Sequence, residues 1–467
     1  MRRPLIDGLQ LGEIGRRWQS ECSCVHLRHL RIGPPAGVCH PGKRVTFVCN
    51  HGGGTRAGPA GETPALRCGA GAARLSREMR YLRSRMAHRR VQLSAPDITS
   101  EERRLVDEVL TSGQLSFGPV LEAFEREFAE RFGARHAVAM SSGTAALHVA
   151  MIAAGVGEGD VVITSPFSFV ASANSILFER GVPHFVDIDP VTLTMDPAAT
   201  VHAIETLAPQ GRLRAVLPVH IFGRTVEMDA ILAAARRHGV VVIEDACEAI
   251  GASADGVFAG RWGEGSAFGF YPNKQMTTGE GGVLLTDRDD WARLARSLRN
   301  QGRSDSGTWL AHERLGFNYR MDTISAAIGL AQIRRLGELL HKREAVAMRY
   351  NARLAGLDGV TPLAPPRAGM QLSWFVYIIR LAEGIDRGRL QAALAARDID
   401  SRPYFPPIHL QPIYVERFGF RPGMFPNTEA AGASLLALPF HGNLAADDID
   451  YVCEAVTEEV GSMKVMG

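Results

Sequence analysis

Two side chains in this 467-residue sequence carry the most telling chemistry, one lysine and one aspartate. Lysine is scarce: Lys43, Lys274, Lys342 and Lys464 are the only four, and arginine supplies the rest of the positive charge. Lys274 stands between an aromatic stretch and a glycine-rich turn, in AFGFYPNKQMTTGEGG from Ala267. An amine that has to lose its proton and attack an aldehyde can be tuned by desolvation or by neighbouring charge, whereas an arginine stays protonated and forms no Schiff base. Taken alone, the stretch also reads as a solvent-facing lysine at a strand end. Glu244 and Asp245 close VVVIED, an apolar run that reads as a buried strand. A carboxylate there is costly unless it meets a cation or hydrogen-bond donors.

Two more strand ends complete the set. After HAVAM comes Ser141-Ser142-Gly143-Thr144, a small-residue turn opening a helix, whose free amides and dipole suit a phosphate. After VVIT comes SPFSF, which sets Phe169 where a planar ring stacks. Singly, the first also reads as a plain strand-helix turn, and the second reads first as core packing. In this order, a phosphate turn, an aromatic, a strand-end carboxylate and a lysine are the parts that pyridoxal 5′-phosphate (PLP) requires. Asp245 would partner the protonated pyridine nitrogen and so make the ring an electron sink.

The elements that must position these residues follow from the apolar pattern. From Val91 the chain predicts two amphipathic helices, the first capped by Thr99 or Ser100 and the second placing Leu121, Phe124, Phe128 and Phe132 on one face. Short apolar strands then alternate with helices, including Gly143 to Ala154, Ser168 to Arg180 and Met228 to His238. This rhythm predicts an α/β fold with a mostly parallel sheet covered on both faces, and ligands in such sheets bind at the carboxyl ends of the strands. After Met321 one long helix to about Leu354 is expected to connect this large domain to a smaller C-terminal α+β domain. The expected division is 1–90, 91–340 and 341–467. In the last part SRPYFPPIHLQPIY reads either as Pro-rich surface packing or as a substrate-side loop, with Tyr404 and His409 meeting the substrate.

Composition sets the limits. The 46% hydrophobic and 22% charged content is that of an ordinary globular protein. No apolar run approaches the ~20 residues that cross a bilayer, and the N-terminal stretch lacks a signal-peptide core, so the expected location is cytoplasmic with no membrane partner. The net charge of +2 hides a split: 17 Lys+Arg against 5 Asp+Glu in residues 1–90, and 35 against 45 in residues 91–467. Five of the seven cysteines, Cys22, Cys24, Cys39, Cys49 and Cys68, lie in the basic part. Their spacing fits no standard zinc pattern, so no metal is expected. A basic nucleic-acid arm is the other functional reading of residues 1–90; disorder, or a natural start at Met79 or Met86, is the expectation, with no nucleic-acid partner.

The motifs SGTAALHVA, EDACEAIGA, GFYPNKQMTTGEGG, GFNYRMDTISAAIGLAQI and LPFHGNL resemble those of the DegT/StrS-type sugar aminotransferases, PLP enzymes of fold type I, from about Val91 to the end. The resemblance implies transfer of an amino group, with L-glutamate the expected donor, to a keto group of a nucleotide-linked sugar. It makes Lys274 the Schiff-base lysine and proton shuttle and Asp245 the partner of the ring nitrogen. Ser142, Gly143 and Thr144 should hold the phosphate and Phe169 should stack on the ring. Asn318 of the NYR motif should reach the phosphate of a neighbouring subunit, which implies a homodimer. Arg320, Tyr404 and His409 are candidate substrate contacts. Three positions depart from the family pattern, one of them Gln301 in RNQGR, which replaces a frequent His. Glu248 stands where Gln or His is frequent beside the cofactor's phenolic oxygen, so it needs a proton or another partner. Gly269 replaces a frequent phosphate-binding Ser, leaving Ser266 or the backbone to compensate. The alternatives are a keto cyclitol or 3-keto sugar as acceptor in antibiotic assembly, and a regulatory protein that keeps PLP without catalysis.

Overall fold

The computed structural model describes residues 90–304 and 310–466; the expectations for residues 1–89 lie outside them. The first helix, α1 (Ser100–Ser112), starts at Thr99 with a capping box, and Gly113 closes it in the left-handed region (φ +71°). It is followed by α2 (Pro119–Phe132), β1 (His136–Met140), α3 (Gly143–Ala153), β2 (Val161–Thr164), α4 (Ala171–Phe178), β3 (Val182–Phe185), α5 (Pro197–Leu207), β4 (Leu213–Leu217), α6 (Asp229–His238) and β5 (Val241–Asp245). The chain then forms β6 (Ser253–Ala254), β7 (Val257–Phe258), β8 (Gly265–Gly269), β9 (Gly282–Thr286) and α7 (Asp289–Arg299).

Seven strands form one sheet in the order β1-β9-β8-β5-β4-β2-β3. Only β9 runs against its neighbours β1 and β8, and the pairs β8/β5, β5/β4, β4/β2 and β2/β3 are parallel. The period-2 alternation of β8 sorts its residues between the two covering layers. Phe268 and Phe270 pack edge-on against Phe128, with Phe124 and Phe132 adjoining, so α2 is anchored beneath the strand that leads to Lys274. Ala267 and Gly269 face the other side, where Ala267 packs in the layer of α3 and α7.

Beyond the sheet, α8 (Thr323–Arg334) and α9 (Leu336–Leu354) stand where one long helix was expected. The break is at Arg335 (φ −106°, ψ 15°), whose guanidinium is held by Asp97 and Glu102 at 3.0 Å each and by Glu338. The segment after β2 is likewise shorter than expected: the SPFSF turn stays non-helical, with the Phe167 amide donating to Ser165 Oγ (3.0 Å), and α4 begins only at Ala171.

After α9 come β10 (Val360–Pro362), β11 (Met370–Gln371), β12 (Tyr377–Leu381), α10 (Arg387–Ala395), α11 (Pro412–Phe418), α12 (Pro426–Ser434), β13 (Leu435–Leu438) and α13 (Ala446–Met466). Strands β10-β12-β13 form a second, antiparallel sheet, and β11-β6-β7 a third. Tyr350 of α9 stacks on Tyr377 of β12 (4.5 Å between centroids) and its hydroxyl donates to Pro439 O (2.9 Å), fixing α9 to the second sheet. Among the described residues no helix is long and apolar enough to cross a membrane, and no cluster of His, Cys, Asp or Glu is arranged to hold a metal ion.

Candidate active site

The carboxyl ends of β1, β2, β5 and β8 open on one cavity of about 1100 Å³, and the loop 402–413 forms its opposite wall. Ser142, Gly143, Thr144, Phe169, Asp245, Glu248, Lys274 and Tyr404 all line it. The sheet therefore gathers residues up to 262 positions apart in sequence, each from the end of its own strand or from the facing loop.

At one end lies the start of α3. Ser142 is its N-cap, its hydroxyl accepting the Ala145 amide (3.0 Å), and no described residue accepts from the amides of Gly143 and Thr144. These are the orphan donors of a helix N-terminus. Only glycine fits here: a Cβ on Gly143 would lie 2.9 Å from Cys247 Sγ and 3.1 Å from Gly269 Cα. A Cβ on Gly269 would make only ordinary contacts, 3.5 Å from Cys247 Sγ and 3.7 Å from Gly143 Cα, so the close approach is set by Gly143. Ser266 does not compensate for the missing serine side chain, because it is fully buried and its hydroxyl donates to Gly260 O (2.9 Å), away from the cavity.

Further along, Asp245 is buried and accepts from Ser172 Oγ (2.6 Å) and the Cys247 amide (3.1 Å). Among the described residues no cation pairs with it. Lys274 follows β8 at the end of a turn closed by its own amide to Tyr271 O (2.9 Å). Its Nζ lies 3.6 Å from Glu248 Oε1 and 3.8 Å above the centre of the Phe375 ring, so the amine is held between a carboxyl and an aromatic face. Glu248 Oε2 accepts the Phe222 amide (3.1 Å). The departure noted in the sequence is thereby furnished with partners. Burial raises the Glu248 carboxyl above the usual range, with Lys274 and the Phe222 amide pulling the other way.

The predicted substrate contacts divide. Tyr404 faces the cavity among Phe222, Phe375 and Phe405, and burial pushes its phenol up to about 12. His409 is not brought there: it is fully buried, with Nε2 3.1 Å from Glu429 Oε1, and serves the packing of the loop against α12. Asn318 and Arg320 lie outside the cavity of this chain. Asn318 bridges Asn300, and Arg320 donates to Asn300 Oδ1 (3.1 Å) beside the end of β1. Several residues were missed in the sequence. Ser172, which holds Asp245, sits four residues after Ser168 and was legible as a polar position on the first turn of α4. Arg402, a guanidinium lining the cavity, directly precedes Pro403-Tyr404. Phe375 carries no local signal, being 101 residues from the lysine it covers.

The set fits PLP. Two unused helix amides with a hydroxyl suit a phosphate, a buried carboxylate without a counter-cation suits a protonated ring nitrogen, and a half-enclosed amine suits an aldehyde. Residues 96–457 match the model of the DegT/DnrJ/EryC1/StrS aminotransferase family. The chain belongs to this family. It is 41% identical over 373 residues to the GDP-perosamine synthase of Caulobacter vibrioides, a match covering 79% of this chain and 98% of that one. It is 38% identical over 381 residues to the spore coat polysaccharide biosynthesis protein SpsC of Bacillus subtilis, covering 79% and 96%. The PLP form of Spr1654 from Streptococcus pneumoniae superposes with a TM-score of 0.75 at 25% identity, covering 80% of this chain and 100% of that structure. The protein is a PLP-dependent aminotransferase of fold type I.

Proposed function

We propose that the enzyme moves the amino group of L-glutamate to the 4-keto group of a nucleotide-linked 6-deoxy sugar, GDP-linked by its likeness to the perosamine synthase, in the cytoplasm, for a surface polysaccharide. The observation that carries the chemistry is the opening of the Lys274 amine, the Asp245 carboxylate and the free amides of α3 onto one cavity. The relatives named for GDP-perosamine and for spore coat polysaccharide support the acceptor.

Bound PLP supplies an electron sink for carbanion charge at the donor's α-carbon. Asp245 holds the proton on the ring nitrogen, and Ser172 and the Cys247 amide keep that carboxylate in place. The Gly143 and Thr144 amides and the Thr144 hydroxyl bind the phosphate, while Ser142 caps the helix that presents them. Phe169, 58% exposed, offers its ring face for stacking. Lys274 Nζ takes the proton from the donor's α-carbon in the first half-reaction and delivers one to the sugar carbon in the second. Glu248 orients that amine. Tyr404 meets the sugar from the opposite wall. In a homodimer Asn318 and Arg320 face the partner's cavity, in keeping with their position outside the cavity of their own chain.

The test is a reaction with ¹⁵N-labelled L-glutamate and a GDP-linked 4-keto-6-deoxy sugar, read by mass spectrometry. The expected product is a ¹⁵N-amino sugar nucleotide, absent with Lys274→Ala. Product from Lys274→Ala at the wild-type rate, or transfer only to an unlinked keto cyclitol, would overturn the reading.

A further inference from the structure

Arg343, on α9, is 4% exposed and forms no ion pair with any described residue. A buried cation without a counter-charge is costly unless donors and acceptors are matched around it. Here the acceptors are four backbone carbonyls. Nη1 donates to Trp374 O (3.3 Å) and Phe375 O (3.2 Å), and Nη2 to Asn273 O (3.2 Å) and Lys274 O (2.7 Å). Burial pushes the guanidinium down to about 10, so it stays charged at neutral pH.

The identity of the four carbonyls matters more than their number. Two belong to the turn that carries Lys274. The other two lead into β12, and the second is that of Phe375, whose ring covers the Lys274 amine at 3.8 Å. Trp374 adopts φ +48°, a left-handed conformation that bulky residues rarely take, and this turn brings two consecutive carbonyls onto one nitrogen. The planar fork of arginine is suited to bridging two such pairs at once; a lysine ammonium is a point donor on a flexible stem.

We propose that Arg343 is a positioning residue for Lys274: its guanidinium clamps the lysine's backbone and the aromatic lid over its amine into one unit, setting where the amine meets the cofactor's aldehyde. The proposal rests on the reading of Lys274 as the cofactor-linked lysine. It adds that α9, none of whose side chains lines the cavity, governs the geometry of the attack.

The experiment uses the cofactor-free protein and two ligands. PLP has an aldehyde for Lys274; pyridoxine 5′-phosphate has the same ring and phosphate without one, and reports the phosphate and ring contacts alone. Attachment of PLP is followed by its visible band, pyridoxine 5′-phosphate affinity by protein fluorescence, and folding by thermal unfolding. Arg343→Met is expected to slow attachment about tenfold while changing pyridoxine 5′-phosphate affinity by less than about twofold, since the lost donors touch only the lysine and its lid. Arg343→Lys is expected to attach PLP roughly threefold slower than wild type, and decides the question where Arg343→Met does not fold. Wild-type attachment rates in the folded variants, or equal weakening for both ligands, would overturn the proposal in favour of plain structural support. Attachment does not involve a sugar, so failure of the sugar reading leaves this outcome interpretable.

Discussion

Glu244 and Asp245 are consecutive residues at the end of β5, both buried, both carboxylates, and their surroundings differ in one respect. Glu244 is saturated: Oε2 accepts from His220 Nε2 (2.8 Å) and the Gly260 amide (2.7 Å), and Oε1 from the Trp262 and Gly263 amides (2.7 Å each). The Val226 amide donates to His220 Nδ1 (3.0 Å), so the ring's proton is on Nε2, facing Glu244. Asp245, pointing to the other face of the sheet, has two donors and opens on the cavity. A carboxylate has about four acceptor sites. Where the protein fills them all, the side chain holds the scaffold; where the carboxylate lines a cavity with fewer donors, it can serve a ligand. The same contrast separates Glu102, engaged by Thr99, Gln332 and Arg335, from Glu248, which meets one amide and the Lys274 amine.

The largest effects should fall on the consecutive pair, in opposite currencies. Asp245→Asn is expected to lower turnover by about 100- to 1000-fold through loss of the ring-nitrogen partner, with thermal unfolding unchanged. Full activity in that variant would remove Asp245 from the mechanism. Glu244→Ala should destabilise the fold by about 3–5 kcal/mol, because four donors lose their acceptor in a dry site. Denaturant unfolding reads this, and a loss below about 1 kcal/mol would break the comparison.

Glu248→Gln sharpens it at intermediate size, with turnover expected to fall about tenfold as the lysine loses its carboxyl partner. Its stability effect has a definite sign. Burial raises the folded-state pKa of Glu248, so its contribution to stability is present below the unfolded value near 4.5 and is lost as pH rises through the folded value. The variant should therefore gain unfolding temperature relative to wild type at pH 8 but not at pH 4; a uniform offset at both would contradict this. Glu102 has the reverse sign and the smallest effect. Burial works against its carboxylate, yet hydrogen bonds from Thr99, Gln332 and Arg335 hold it down at about 2. That stability is present above about pH 4.5 and is lost as pH falls toward 2. Glu102→Gln should lose about 1 kcal/mol at pH 7 and narrow the gap to wild type in acid.

The sequence made legible what depends on strand ends. The β1 turn, Phe169, Asp245 and Lys274 each follow an apolar run, and the parallel sheet brings such ends together by construction. The α/β architecture was readable for the same reason. Less accessible was anything set by contacts across the fold. The break at Arg335 depends on Asp97, 238 positions earlier. Trp374 turns at φ +48° with no glycine to announce it, and Arg343 meets Lys274 across 69 positions. His409 misled because a histidine beside a substrate loop looks like a contact, while its burial against Glu429 is a tertiary fact.

The central claim is that Lys274 and Asp245 run amino transfer from glutamate. It is tested most directly by the absorption spectrum of the PLP-loaded enzyme before and after L-glutamate is added without any sugar. The account predicts that the visible band of the lysine-bound cofactor gives way to the near-ultraviolet band of the aminated cofactor, with 2-oxoglutarate released in equal amount. A visible band that glutamate leaves unchanged would contradict it.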